Sequence, residues 1–510
     1  MTQNYFITTP IYYVNDRPHI GHAYTSVACD VLARFKRLCG YNVRFLTGTD
    51  EHGQKVEKSA LLANVSPQAL ADSNSQSFRD LTKLMNISND DFIRTTEPRH
   101  IASAQALWKK MEENGHIYLG SYSGWYSVRD EAYYQESELV DGPKGKTAPT
   151  GAEVEWVEEP SYFFRLSTFG DKLLELYQAS HGFIRPETRK NEIVSFVKGG
   201  LKDLSISRTT FSWGIPVPGN EKHIMYVWLD ALANYLSALD YPDTDSPLYK
   251  AFWPADLHMV GKDIIRFHTV YWPAFLMAAN LPLPKRVFAH GWWTIEGEKM
   301  SKSLGNAIAP QVLVDEFGLD QTRYFLMREV PFGNDGNFSR ERMIAVINSE
   351  LANNIGNLVQ RTLSMINKNC DGKIPEGIIR ESEIGICGIN FEALENLIQD
   401  NEFEKYINEI VKYSSGANEY IDKNAPWALK KEGKLQEMGK VLYALAESIR
   451  KIALLLQPIM PDSSCKILDQ LMIPENQRLF RHLSSEFALI PGVLLSPPQP
   501  VFPRFMDKAA

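Results

Sequence analysis

The chain has 510 residues, 23% of them charged and 44% hydrophobic, with a formal net charge of −8. That length gives room for three or four domains with ample core, and the composition is that of an ordinary soluble globular chain. The negative balance excludes capture of a nucleic acid by global attraction, so such a partner would have to be held by a local basic surface.

The first strand-like run, Tyr5-Phe6-Ile7, is not preceded by a recognisable secretory or transit segment. Residues 4 to 50 read as one βαβ unit. The β-rich stretch Tyr5 to Thr9 is broken by Pro10, Asn15, Asp16 and Pro18. Gly21 then opens a helical run, with Val27, Val31, Leu32, Phe35 and Leu38 in register, that stops at Gly40. Val43 to Thr47 is the second strand and ends in Gly48-Thr49-Asp50. Parallel sheets bind ligands at the carboxyl ends of their strands, which puts His19, His22 and Asp50 on one rim.

From about 116 to 213 the pattern changes. Aromatic strand-like pieces at Tyr122 to Tyr126, Tyr133-Tyr134 and Tyr162 to Leu166 alternate with the turn-rich Asp141-Gly142-Pro143-Lys144-Gly145. This reads as a small insertion between two halves of a sheet. Basic residues bunch at Arg185, Arg189, Lys190, Lys198, Lys202 and Arg208. The α/β rhythm returns at Ile224 to Tyr235, Leu257 to Ala279 and Val287 to His290, and stops after about 340. From Met343 onward the periodicity is helical, and the proline-rich tail from Pro491 is expected to pack as an extended arm. The longest apolar stretch, around Val441 to Met460, is interrupted by Glu447, Arg450 and Lys451 and reads as a core helix rather than a membrane span. The five cysteines are scattered, and no pair has zinc-ligand spacing. A reducing cytosolic setting without a disulfide framework is therefore expected.

Three constellations carry chemistry. At the first, a helix N-terminus offers unpaired N–H groups and partial positive charge, Gly21 permits close approach of a phosphate, and His19 and His22 can both donate to phosphate oxygens. At the second, Lys299-Met300-Ser301-Lys302-Ser303 follows the turn Glu296-Gly297-Glu298. A mobile loop with two ammonium groups can close over pyrophosphate oxygens as charge develops, a contribution of about 3 kcal/mol per well-placed donor. The third is aromatic. Ile264, His268 and Trp272 fall at i, i+4, i+8 on one helix face, and Trp228, Leu232 and Tyr235 at i, i+4, i+7 on another. Stripes of this kind are ordinarily core. A cage of tryptophan, tyrosine and histidine, however, suits a polarisable thioether. In it, His268 or Tyr13 could give the sulfur a weak hydrogen bond, and Asp50 could pair with a substrate ammonium.

His19-Ile20-Gly21-His22 and, some 280 positions later, Lys299-Met300-Ser301-Lys302-Ser303 resemble the two signatures of class I aminoacyl-tRNA synthetases. Thr8 to Asn15, Thr47 to Gly53, Tyr226 to Ala231 and Gly261 to Ile264 further resemble blocks of the methionyl-tRNA synthetase family, and the likeness covers essentially the whole chain. It implies a Rossmann-like α/β parallel-sheet catalytic domain split by a small insertion and followed by an all-helical C-terminal domain. The expected boundaries are 1–115 and 214–292 for the two catalytic halves, 116–213 for the insertion, 293–345 for a linker fold, and 346–510 for a helical anticodon-binding domain with its arm.

The resemblance implies that methionine lies among Ile11, Tyr13, Asp50, Trp228, Tyr235, Ile264, His268 and Trp272. ATP, accompanied by Mg²⁺, would lie over His19, Gly21 and His22 with Gly261, Asp263 and Lys302 close by, and Arg208 is a weaker adenylate candidate. His19, His22, Lys299 and Lys302 would be catalytic. Asn357, Arg361 and Trp427 would meet the anticodon of tRNA(Met), where stacking of a splayed base contributes about 1–3 kcal/mol. Many family members hold zinc in the insertion through cysteine knuckles. Here the matching stretch reads Tyr126-Ser127-Val128-Arg129-Asp130, and no cysteine lies between Cys39 and Cys370, so no structural zinc is expected. The lack of an appended dimerising module makes a monomer the expectation. The alternatives left open are another class I synthetase, for cysteine or a branched aliphatic residue, and a catalytically silent tRNA-binding paralogue.

Overall fold

The computed structural model describes the chain apart from residues 1, 15–16, 131, 135, 143–144, 296–297, 300–307, 378–389 and 507–510. The chain forms two compact units. One comprises Asn4–Cys29 and Val43–His290; the other comprises Met1–Gln3, Asp30–Asn42 and Gly291–Ala510.

The first unit is built on a seven-stranded sheet ordered Ile184–Arg185, Val287–His290, Leu257–Gly261, Asn4–Thr8, Asn42–Asp50 and Tyr12–Tyr13, with Asp91–Arg94 also paired to Asn42–Asp50. The registers Ile7 with Leu257, His258 with Val287, Thr47 with Phe92 and Tyr13 with Asp50 are all parallel. A parallel sheet is covered on both faces, which is why its strands are near-continuous apolar runs; Phe6, Ile7 and Thr8 are all fully buried. Close strand approach explains Gly48, where an added Cβ would sit 2.0 Å from the Ile93 carbonyl oxygen. The helix Ile20–Leu38 follows the first strand, buries Val27, Val31, Leu32 and Phe35, and gives way at Gly40, whose φ of 90° suits a residue without Cβ.

The insertion is a four-stranded antiparallel sheet ordered Leu204–Ser205, Glu155–Phe164, Ile117–Ser127 and Ala132–Tyr134, plus a hairpin pairing Val140–Gly142 with Gly145–Thr147. In its Arg129-Asp130 turn, the Asp130 carboxylate accepts from Tyr134 Oη at 2.9 Å and from Thr150 Oγ1. Arg129 donates to the Thr150 carbonyl at 2.7 Å.

The second unit carries a short three-stranded sheet, Glu298–Lys299, Trp293–Ile295 and Gly336–Phe338, and its other named elements among the described residues are helices, with long ones at Phe403–Asn424 and Leu435–Leu456. Leu435–Leu456 buries Glu447 and Arg450 as a mutual ion pair; Glu447 also accepts the Leu489 N–H at 3.1 Å. Asp30 and Arg323 form a second fully buried pair at 2.6 Å, and Arg323 also donates to the Ile459 carbonyl at 2.9 Å. The tail is stitched down as an extended segment: Ile374 bonds Val493 at 2.9 Å, and Asn348 exchanges hydrogen bonds with the Phe505 backbone at 2.8 and 2.9 Å. No helix among the described residues is long and apolar enough to cross a membrane.

The two aromatic stripes depart from regular helices. Residues 262–278 are a 3-10 turn, Lys262–Ile264, then a π-helical turn, Phe267–Tyr271, then the α-helix Trp272–Ala278. The Pro273 ring breaks the regular ladder here, because proline cannot donate to the preceding turn. Trp228 and Leu232 lie in the helix Val227–Leu232, whereas Tyr235 belongs to the separate turn of helix Asn234–Ser237.

Candidate active site

At the start of the helix Ile20–Leu38 the His19 and His22 rings lie against each other with centroids 3.9 Å apart and planes inclined by 36°. His19 Nδ1 accepts the Gly21 N–H at 3.1 Å, and His22 Nδ1 accepts the His19 N–H at 3.1 Å. An imidazole nitrogen that accepts carries no proton, so in both neutral rings the proton sits on Nε2 and is available as a donor. Burial pushes both imidazoles below their ordinary pKa, and for His22 the neighbouring His19 adds to this. Both rings are therefore neutral donors at pH 7. Gly21 has a second reason to be glycine, since a Cβ there would meet His19 Cε1 at 2.9 Å. The helix is fixed below by Thr25, whose Oγ1 lies 2.7 Å from His290 Nε2 at the end of its strand. At the end of the neighbouring strand, a Cβ on Gly261 would meet the Asp263 carboxylate at 2.5 Å.

The aromatic residues converge. Tyr235 Oη lies 2.8 Å from His268 Nε2, while His268 Nδ1 lies 3.0 Å from the Ile264 carbonyl oxygen. A carbonyl can only accept, so Nδ1 carries the proton and Tyr235 donates to Nε2. Both ring nitrogens of His268 are thus engaged within the protein. Burial holds its pKa down to about 4. Trp272 Nε1 donates to His258 Nε2 at 3.3 Å, and the Tyr235 ring lies 4.1 Å from the His258 ring. Trp228 stacks flat on Phe267 with centroids 3.5 Å apart. Ile11, Tyr13, Trp228 and Ile264 are half-buried against the same hydrophobic core that contains Tyr235 and Trp272.

Asp50 closes the long strand opposite Tyr13 and is itself buried. The residues after it are anchored one by one. Glu51 accepts from Arg94 at 2.7 and 2.9 Å and from Thr96 Oγ1 at 2.6 Å. His52 Nδ1 donates to Asp230 Oδ2 at 2.7 Å, and His100 Nε2 donates to Asp230 Oδ1 at 2.8 Å. Gly53 N–H bonds the Trp213 carbonyl at 3.1 Å. Burial by itself would raise the Asp230 pKa, but the two imidazoles outweigh it and hold the carboxyl at about 2.

Arg208 is buried and donates to Ser205 Oγ at 2.9 Å and to the Ser207 carbonyl at 2.7 Å, with its guanidinium 4.7 Å from the Tyr226 ring. These contacts tie it to the root of the insertion.

Separately, within the helical unit, Asn357 and Arg361 share a face of the helix Asn357–Asn369. Trp427, 40% exposed, lies on the helix Pro426–Lys431, and the Arg361 guanidinium sits 5.3 Å from its ring. Arg361 also bonds Asp422 at 2.7 Å, and Asn357 Nδ2 donates to Asn418 at 3.4 Å. The Trp427 ring is thus partly open to solvent, with a guanidinium held at its face by a cation–π contact.

Lys302, with Met300, Ser301 and Ser303, lies outside the described residues, as does the Lys299 side chain; the Lys299 backbone pairs with Thr294 in a hairpin. Sequence reasoning missed the roles of His52, His100, Asp230, His258 and His290. The one available signal was a polar residue interrupting an apolar run, as His258 does in Leu257-His258-Met259-Val260.

A family model described as class I tRNA synthetases (M) matches residues 5–149 and 142–363, and one described as the anticodon-binding domain of methionyl tRNA ligase matches 387–510. The parallel sheet, the paired histidines at its carboxyl rim and these matches define a class I aminoacyl-tRNA synthetase. The methionine–tRNA ligase of Rickettsia felis is 60% identical over 99% of each chain, and that of Brucella suis biovar 1 is 54% identical over 99% of this chain and 98% of the relative. Mycobacterium tuberculosis methionyl-tRNA synthetase in complex with methionyl-adenylate superposes with a TM-score of 0.95 at 49% identity, covering 99% of this chain and 100% of that one. The free form of that enzyme gives 0.89 at 46% identity, covering 99% of each chain. The chain belongs to the methionyl-tRNA synthetase family.

Proposed function

We propose that the chain activates L-methionine with ATP to give methionyl-adenylate and pyrophosphate, and then transfers the methionyl group to the 3′-terminal adenosine of tRNA(Met). The observation that carries this reading is the close, tilted His19–His22 pair, whose main-chain-capped Nδ1 atoms leave two neutral Nε2–H donors at a helix N-terminus. The methionine carboxylate is already ionised at pH 7 and attacks the α-phosphorus; the bond to the bridging oxygen breaks and pyrophosphate leaves. No general base is required. The protein contributes positioning and stabilisation of charge.

In this scheme His19, Gly21 and His22 receive phosphate oxygens, with Gly261 and Asp263 on the adenosine side. Lys299 and Lys302 act on the departing pyrophosphate. Asp50 pairs with the methionine ammonium, and Ile11, Tyr13, Trp228, Tyr235, Ile264, His268 and Trp272 surround the side chain. His268 contributes a wall rather than a proton for the sulfur, because both its nitrogens face protein partners. ATP enters as its Mg²⁺ complex, with the cation held by phosphates rather than by a carboxylate cage. Asn357, Arg361 and Trp427 read the anticodon. The chain works as a cytosolic monomer, and the insertion carries no structural zinc, because no cysteine is present there to ligate one.

Methionine-dependent ATP–pyrophosphate exchange without tRNA tests the reading. Exchange with methionine supports it. Exchange with cysteine or a branched aliphatic amino acid instead identifies a different class I specificity, and absence of exchange with any amino acid identifies a silent paralogue. Metal analysis of the purified protein tests the zinc statement.

A further inference from the structure

His258 is fully buried on the strand Leu257–Gly261, and none of the chemistry above uses it. Three of its contacts are nonetheless specific. The Trp272 indole N–H, a donor only, meets Nε2 at 3.3 Å. Nε2 is therefore unprotonated, and Nδ1 carries the hydrogen, which reaches Thr8 Oγ1 at 2.8 Å. The Tyr235 ring lies on the imidazole with centroids 4.1 Å apart and planes inclined by 30°. Turning the ring over would put carbon atoms where both hydrogen bonds now lie, so one orientation is selected. Burial, reinforced by His268, keeps the group neutral, as the acceptor role at Nε2 requires.

One imidazole thus fixes two aromatic walls that come from different segments. Trp272 is held by its N–H and Tyr235 by its face, while the far edge of Tyr235 is tied through its hydroxyl to His268 and on to the Ile264 carbonyl. We propose that His258 is a positioning residue that sets the spacing of the Tyr235 and Trp272 walls, and with it the discrimination between methionine and side chains longer by one methylene. This rests on the assignment of Tyr235 and Trp272 to the methionine pocket. A pocket wall left to shift by a few tenths of an ångström admits a longer side chain, and one methylene is the scale on which a rigid apolar pocket selects by 10-fold or more.

The experiment is amino-acid-dependent pyrophosphate exchange with methionine and with ethionine, its homologue extended by one methylene. In His258→Leu, which removes both hydrogen bonds at similar volume, the ratio of kcat/KM for methionine over ethionine is expected to fall about 10-fold. The KM for ATP stays within about 2-fold, because the wall does not touch the nucleotide. His258→Gln offers an N–H and a carbonyl at comparable reach and recovers part of the ratio. Thr8→Val removes the acceptor for Nδ1, and with it the Thr8 interaction with the Tyr235 hydroxyl, and lowers the ratio in the same direction; should His258→Leu fail to fold, this variant decides. An unchanged ratio in the folded variants, whatever happens to their melting temperature, overturns the proposal. Trp272→Ala separates this from the assignment beneath it. If Trp272→Ala leaves the methionine KM unchanged, the pocket itself is misassigned. If it raises that KM while the His258 and Thr8 variants keep the ratio, only the positioning role is wrong.

Discussion

Asp230 accepts the His52 ring N–H at 2.7 Å, joining the helix that carries Trp228 to the end of the strand that carries Asp50. Each partner lies two residues from a proposed methionine contact, so the pair fixes the distance between the ammonium end and the aromatic side of the pocket. Removing one side of a fully buried charge-assisted pair costs about 3–5 kcal/mol. Asp230→Ala should lower the unfolding free energy on that scale, read from denaturant midpoints. Asp230→Asn should keep the fold and raise the methionine KM by about 10-fold. An unchanged KM in Asp230→Asn would confine the pair to stability.

Gly21→Ala places a methyl group 2.9 Å from His19 Cε1 and forces that imidazole off its main-chain cap. Loss of one aligned donor lowers the adenylation rate by about 100-fold. Single-turnover methionyl-adenylate formation measures it, and the methionine dissociation constant is the control that should not move.

Lys302→Ala should slow adenylation while leaving methionine affinity within about 2-fold, since an ammonium that meets only the leaving pyrophosphate acts in the transition state. If methionine binding alone weakens, the lysine belongs to a different subsite.

Trp427→Ala removes the exposed ring that faces Arg361. Loss of one stacked base weakens tRNA charging by about 10-fold, with methionine-dependent exchange unchanged. Equal loss in both assays would make the ring a packing element.

The sign of the acid response follows from His268. Its folded-state pKa is lowered to about 4, against about 6.5 for an unfolded imidazole. Between those values the unfolded chain binds the extra proton, so stability falls as pH is lowered from about 6.5 to 4. His22 and His258, also lowered by burial, act in the same direction. Melting temperatures across this range should drop with acid, and His268→Gln should flatten the slope.

The βαβ unit at 4–50 was legible because its strand and helix periodicities are unmixed and its breaks fall at Pro10 and Gly40. The paired histidines were legible by spacing, but the location of their protons was not, since that depends on which backbone N–H each Nδ1 meets. The aromatic stripes named residues that do cluster in the fold, but on too regular a helix: the π turn at Phe267–Tyr271 has no compositional mark, and Tyr235 falls beyond a helix break at Ala233. Asp230 and His258 stayed hidden because a single polar residue in an apolar run looks the same whether it is satisfied by a neighbour or by a substrate.

The backbone amides that cap His19 and His22 have a kinetic corollary. Hydrogens offered to phosphate by uncharged rings do not come and go with the ionisation of free imidazole near neutrality. The catalytic rate should therefore stay level from about pH 8 down to 6.5, where an unperturbed imidazole would already be changing charge. Any decline below that range should run parallel to the loss of folded protein.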